Sequence, residues 1–216
     1  MPALGFPGRP RQLGAVKRFI LLLRAVNVGG RQLEMKALRE AAQADGFSDC
    51  VTYIQSGNLI FSADGDEAAV EARIEKLIAA KFGLDAVAIA RSADHFERIA
   101  GANPFPDAVD KMLHLCLSKR AVAAEAVALL TDRARAGERP AIAGGELWID
   151  FVEGVGRSKI TPSVIDKAAG SSVTARNWNT VRKLQRKLHF NKRTVVICKK
   201  HMNGAKNGNV QRKRAI

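Results

Sequence analysis

Three stretches of this sequence carry residue types suited to holding an anion. In Arg24 to Gly30, RAVNVGG, a guanidinium (Arg24), an amide (Asn27) and the pair Gly29 and Gly30 follow a short apolar run. Glycines let backbone amides approach a ligand, and the cation would meet its charge. In Gly154 to Pro162, GVGRSKITP, two glycines precede Arg157, Ser158 and Lys159, and Thr161-Pro162 opens a helix whose N-terminus favours negative charge. In Thr174 to Thr180, Arg176, Asn177 and Asn179 surround Trp178. The candidate ligand set is Arg24, Asn27, Gly29, Gly30, Ser158, Lys159, Arg176 and Asn177, and the ligand class is a small molecule bearing a phosphate or carboxylate. Each stretch also has a structural reading: a loop that needs sharp bending, an exposed basic turn, and a helix cap at Asn177 beside a packed tryptophan. Ser56-Gly57-Asn58 is explained by hairpin-turn chemistry alone.

Catalytic patterns are absent. His95, His114, His189 and His201 have no metal-ligand partners at useful spacing, and His114 with Cys116 on one strand face reads as packing. No HExxH, GxSxG, SxxK, Walker or GxGxxG spacing occurs, so no cofactor and no metal is expected, and whether a reaction follows binding is left open. Cys50, Cys116 and Cys198 are odd in number and far apart, which fits a reducing, cytoplasmic location.

The elements that must position these residues follow from periodicity. Phe19 to Leu23 is an apolar strand, and Met35, Leu38 and Ala42 begin a helical stripe ending at Gly46. Cys50 to Ile54 and Asn58 to Phe61 form a tight hairpin. Asp66 to Phe82 is a helix closed by Gly83, and Ala86 to Ala90 a strand. The order β-α-β-β-α-β is the split pattern of ferredoxin-like domains. After a connecting helix and the loop Asn103 to Pro106, it repeats. Met112 to Leu117 is a strand, and Val122 to Ala136 a helix with Ala126, Leu129, Leu130 and Ala134 inward. Pro140 to Ala143 and Leu147 to Phe151 are a hairpin, Thr161 to Ala169 a short helix, and Ser172 to Thr174 a brief strand. A last helix starts at Asn177 and docks through Trp178, Val181, Leu184 and Leu188. The expected divisions are a flexible extension at 1–18, a first half at 19–91, a connector at 92–110, a second half at 111–188 and a disordered basic tail at 189–216, with one stray strand in Arg193 to Lys200.

Charge separates body from tail. The formal net charge is +14, yet residues 1–100 carry 13 Lys/Arg against 12 Asp/Glu, residues 101–175 carry 9 of each, and residues 176–216 carry 13 and none. An electrostatic case for non-specific nucleic-acid binding therefore rests on Arg182 to Arg214 alone. No apolar run approaches the roughly 18 residues of a membrane span, so no membrane partner is expected. A third class of reading is an interaction module that uses open sheet edges.

The combination LLLRAVNVGG, EMKALR, TYIQSGNLIFS, NPF, GVGRSKIT and TARNWNTVRKL resembles the bacterial family known as domain of unknown function 1697, over roughly residues 18–188. Ala25 stands where that family usually has glycine. The resemblance implies tandem ferredoxin-like α/β-plait halves and brings no activity or cofactor with it. The fold expected is thus α+β: two tandem ferredoxin-like halves, a C-terminal helix and a basic tail.

Overall fold

The computed structural model describes residues 15–24, 26–27 and 32–189. These divide into two compact units, the first ending at Ala93 and the second beginning at Asp94. Gly29, Gly30, the expected strand at Arg193 to Lys200, and the tail from residue 190 lie outside the described residues.

The first unit runs β1 (Lys17–Arg24), α1 (Met35–Ala44), β2 (Ser48–Tyr53), β3 (Asn58–Ala63), α2 (Glu67–Phe82) and β4 (Val87–Ser92). Its strands form an antiparallel sheet in the order β2-β3-β1-β4. β1 is central because all of Phe19 to Leu23 is buried, as a strand flanked on both sides and covered on both faces must be. Period-two alternation then sorts the residues. Phe19, Leu21, Leu23, Leu59, Phe61, Ala88 and Ala90 meet Leu38 and Ala42 of α1 and Val70, Ile74 and Ile78 of α2. Ile20, Leu22, Ile60 and Ile89, on the other pleat, are buried as well.

α2 starts where the sequence places it: the Asp66 side chain accepts the Ala69 amide at 2.8 Å, and Gly83 ends the helix in the left-handed region. Its outer stripe does more than face solvent. β4 is an edge strand, and its outward amides are taken by three glutamates one helical turn apart. Glu75 accepts from Ala88 (2.9 Å), Glu71 from Ala90 (2.8 Å) and Glu67 from Ser92 (2.8 Å). Arg91, 8% exposed, lies 3.9 to 4.0 Å from Glu71 and Glu67 and balances their charge. The opposite edge, β2, carries a bulge between Ser48 and Val51, with Asp49 at φ 51°.

The second unit runs α3 (Ala93–Gly101, its first residue closing the first unit), β5 (Leu113–Ser118), α4 (Glu125–Thr131), β6 (Arg139–Ala143), β7 (Glu146–Asp150), α5 (Pro162–Ala169), β8 (Val173–Asn177) and α6 (Trp178–His189). The strand order β6-β7-β5-β8 repeats that of the first unit. The protein is therefore α+β with two four-stranded antiparallel sheets, and the paired strand orders fit a two-half ferredoxin-like arrangement. Leu147, Ile149, Phe151, Val173 and Cys116 pack with Leu130, Ile165 and Ala169 on one face. α6 lies along β5 and β8, with Trp178 edge-on to Trp148 at 5.4 Å and Val181, Leu184 and Leu188 buried.

Two expectations are corrected here. The helix read as Val122 to Ala136 is only Glu125–Thr131, and Leu129, expected inward, is 53% exposed. At the C-terminal end a carboxylate intervenes: Glu138 accepts the amides of Arg135 (2.9 Å) and Ala136 (2.8 Å), which keeps those two residues out of helical pairing. The strand read as Ser172 to Thr174 extends through Asn177, because Thr174 to Asn177 pair with β5 as far as His114.

Replacing Glu71 by Ala strands the buried Ala90 amide and takes a carboxylate away from Arg91. Urea unfolding should show a loss of about 2–3 kcal/mol, with Glu71→Gln losing less than half of that because it still accepts the amide. Equal stability of Glu71→Ala and wild type would show that the ladder is idle.

Candidate functional site

In the first unit the polar residues gather where β1 hands over to α1. Asn27 sits at φ 57°, a left-handed conformation that asparagine tolerates. Its Nδ2 donates to the Leu33 carbonyl (3.0 Å) and the Gln55 carbonyl (2.6 Å), and its Oδ1 accepts the Leu33 amide at 2.7 Å. One side chain thus ties both ends of the β1–α1 loop to the β2–β3 turn, and its amide is fully occupied in doing so. Gly57 docks that turn on β1: its carbonyl accepts the Leu23 amide at 2.8 Å, and a Cβ there, at φ 77°, would stand 2.6 Å from Val26 Cγ2 and 2.7 Å from Leu23 Cβ. Asn58 is completely buried and donates to the Tyr53 carbonyl and Ser56 Oγ, both at 2.9 Å. Its part is structural.

Beside the loop and turn is an open recess of about 490 Å³ lined by Asn27, Gln32, Leu33, Glu34 and Gln55. Glu34 occupies the N-cap position of α1, but its side chain makes no capping hydrogen bond and the first turn holds no acidic residue. The partial positive charge of the helix start therefore lies beside the recess without a cap from the Glu34 side chain. Arg24, half-buried, is on the pleat opposite Leu23 and is not among the lining residues.

The second-unit candidates divide between two places. Ser158 follows a single 3-10 turn, Val155–Arg157, and its hydroxyl donates to Glu138 Oε1 in a short hydrogen bond while its Oγ accepts the Ile160 amide at 3.0 Å. Burial works to raise the Glu138 carboxyl. The hydrogen bonds from Ser158 and from the Ala136, Glu138 and Arg135 amides outweigh it and hold that carboxyl down at about 2. The glycine-basic loop is thus built around an internal carboxylate, which takes the hydroxyl that a phosphate would need. Lys159 is exposed, and Arg157 pairs with Glu153 at 3.6 Å. Thr161 caps α5 by accepting the Val164 amide at 3.4 Å.

Arg176 and Asn177 lie on β8, the edge opposite β6, which Glu138 immediately precedes. Three interstrand steps of about 4.8 Å separate those edges, so the sheet keeps Ser158 and Arg176 apart. Arg176 donates to Thr174 Oγ1 (2.9 Å) and the Ala175 carbonyl (2.8 Å), and burial lowers its guanidinium to about 10, which leaves it cationic at neutral pH. Asn177 accepts the Thr180 amide at 3.0 Å and caps α6.

No group of three or more His, Cys, Asp or Glu residues among those described is placed to hold a metal ion. His114 packs edge-on against Phe151 at 5.1 Å, and burial lowers its pKa. Burial pushes the Cys116 thiol up to about 12 and, with help from Asp49, that of Cys50 to about 11, so both are unreactive as thiolates at neutral pH. The residues that motif reading missed are Gln32, which lines the recess beside the Gln55 of the TYIQSGNLIFS motif, and Glu138, whose carboxylate organises the glycine-basic loop.

Fold and site together define an α+β protein of two βαββαβ units with a polar recess at a strand-to-helix junction. The chain belongs to the family described as "Protein of unknown function (DUF1697)", whose model matches residues 16–148. Ser158, Lys159, Arg176 and Asn177 fall beyond that span. Among solved structures, it is similar to the conserved bacterial protein SP0830 from Streptococcus pneumoniae. The two are 20% identical with a TM-score of 0.61, over 81% of this chain and 99% of that one, a likeness of fold. No functionally curated protein matches the sequence. No described helix is long and apolar enough to cross a membrane.

Ser158→Ala should cost about 1.5–3 kcal/mol, the range for a hydrogen bond to a charged group. Because the Glu138 carboxyl is held below its ordinary 4.5 in the folded protein, its contribution is complete above that value and disappears as pH falls through about 2. Stability followed by chemical denaturation from pH 5 to pH 2 should fall less steeply in Glu138→Gln than in wild type; parallel curves would show that Glu138 is not held down.

Proposed function

We propose that the first unit binds a small carboxylate- or phosphate-bearing molecule in the recess at the start of α1, with the Gln32 and Gln55 amides and the first-turn backbone of α1 as donors. The observation carrying this reading is the α1 N-terminus, without a side-chain cap, opening on a recess of about 490 Å³ walled by amides. That volume lies in the range of small-molecule sites, roughly 300–1,000 Å³. Asn27 acts as the brace that fixes the wall. Glu34 on the rim repels highly charged ligands and favours a monoanion over a polyphosphate. Among the earlier candidates Arg24, Ser158, Lys159, Arg176 and Asn177 stand outside this set. A cytoplasmic setting, where organic acids and sugar phosphates are plentiful, accompanies the proposal.

Calorimetric titration with a panel of organic acids and sugar phosphates tests it. A ligand found in this way should bind about tenfold more weakly to Gln55→Ala, equivalent to about 1.4 kcal/mol. It should bind more tightly to Glu34→Gln and unchanged to Lys159→Ala. Weakening by Lys159→Ala with no effect of Gln55→Ala would move the site to the glycine-basic loop of the second unit.

A second reading, non-specific nucleic-acid binding through Arg182 to Arg214, is favoured by one observation. α6 has no acidic residue and exposes Arg182, Lys183 and Arg186, with Arg182 paired to Asp110 at 2.8 Å. Duplex DNA should then bind with log K falling against log salt by about 0.9 per phosphate neutralised. Truncation after Leu188 should remove most of the affinity and most of the slope. Sequence-selective binding that survives truncation would move recognition onto the folded units.

A further inference from the structure

The second unit carries a groove between α4 and α5 of about 390 Å³, lined by Leu129, Arg133, Ser163, Val164, Lys167 and Ala168. Three of the six residues are aliphatic, two are cations and none is acidic. Leu129 is 53% exposed, an aliphatic side chain of this size left in water on an otherwise small helix. Arg133 and Lys167 are exposed as well.

The first unit provides an internal comparison, since its strand order is the same and α1 and α2 are the helices corresponding to α4 and α5. There the end of the helix pair is closed. Arg73 on α2 donates to Asp45 Oδ2 at 2.6 Å, just past α1, and its guanidinium lies 4.1 Å over the Phe47 ring. In the second unit the corresponding space has no such closure. α4 stops at Thr131, and Arg135 folds back onto the carbonyls of Asp132 (2.8 Å) and Ala134 (2.7 Å) instead of crossing to α5. The truncation that Glu138 imposes on α4 therefore leaves an apolar slot with cations at its mouth.

We propose that this groove is a binding site for a small amphipathic anion, a molecule with a short alkyl or aryl body and one acidic head. The body covers Leu129, Val164 and Ala168, and the head is met by Arg133 and Lys167. Burying the body removes aliphatic surface from water, while the two cations select the sign of the head group. The site lies wholly within the second unit and does not rest on the recess proposed above.

The probe is decanoate, titrated calorimetrically into the full chain, with decylammonium and acetate as controls for head-group sign and apolar body. Decanoate should bind at submillimolar concentration, and both controls should be weaker by about tenfold or more. Arg133→Glu and Lys167→Glu, at exposed positions, should each weaken decanoate about tenfold without changing the melting temperature, and Leu129→Asp should abolish binding. Equal affinity for decanoate and decylammonium, wild-type affinity in both charge variants, or no decanoate binding at millimolar concentration would overturn the proposal. So would a concentration-dependent dimer that Leu129→Asp dissolves, since the occupant would then be a second copy of the chain.

Discussion

Four residues of α-helix advance about 6.0 Å and two residues of strand about 6.6–6.8 Å, and that near-equality is what closes the first unit. It lets carboxylates spaced four apart on α2 fall in step with amides spaced two apart on β4. Glu67, Glu71 and Glu75 meet Ser92, Ala90 and Ala88, with helix and strand running in opposite directions. Once α2 is held alongside β4 in that register, Val70, Ile74 and Ile78 have no choice but to face the sheet. The outward amides of an edge strand, which would otherwise template another chain, are occupied by the protein itself. The other edges have devices of their own: a bulge on β2, Pro140 on β6, and on β8 the Val173 amide donating to Asp166 at 2.9 Å. Recognition by strand addition is therefore disfavoured in each sheet. What the fold leaves for ligands is loop ends and helix seams.

The parts of this architecture that were legible in the sequence are those fixed by neighbours a few residues away. Asp66 and Gly83 bracket α2, Thr161-Pro162 opens α5, and Gly57 marks its hairpin, because caps and turns are decided by local hydrogen bonds and by φ. The parts that were not legible depend on partners that pattern does not announce. α4 has a helical pattern through Ala136, and no periodicity shows that Glu138, three residues on, turns back to take the Arg135 amide. Ser158 looks like a phosphate ligand beside Lys159, and only the folded chain brings it to a carboxylate twenty residues earlier. Arg24 continues the alternation of β1, so it shares a pleat with Leu22 and not with Leu23, and it does not line the recess. Gln32 carried no signal, since single glutamines in loops are common; Gln55 stood in a polar hairpin motif, and only the turn's docking through Gly57 brings it to the same recess.

The residue types that invite a ligand hypothesis are also those that satisfy irregular backbone. Asparagine, serine and arginine beside glycine appear wherever a chain turns sharply and leaves carbonyls and amides without ladder partners. Asn27, Asn58, Ser158 and Asn177 all prove to have acceptors or donors inside the protein. A polar side chain is then a candidate ligand group only to the extent that its hydrogen-bonding capacity is not already used. By that criterion the most informative feature of the first unit is a helix start whose N-cap residue makes no side-chain bond. In the second unit Thr161 caps α5 and Asn177 caps α6, while α4, the counterpart of α1, also starts without a side-chain cap but carries Glu125 in its first turn.

The same logic explains why one topology, built twice, offers two different kinds of opening. In the first unit the helix seam is filled by Arg73 and Phe47, and the strand-to-helix junction is open and polar. In the second unit Glu138 draws the chain out of α4 early, so the seam is open and apolar. A carboxylate held at about 2 is ionised throughout the physiological range, so the shortened α4 is a permanent feature rather than a pH-dependent one. The shape of the groove is thereby set by a charge that does not line it. The cost of burying that charge is offset by three backbone amides and one hydroxyl, a set of donors that converges only if residues 135–138 leave the helix. The open seam is the geometric consequence of satisfying Glu138, and it would close only in a chain that no longer needed to.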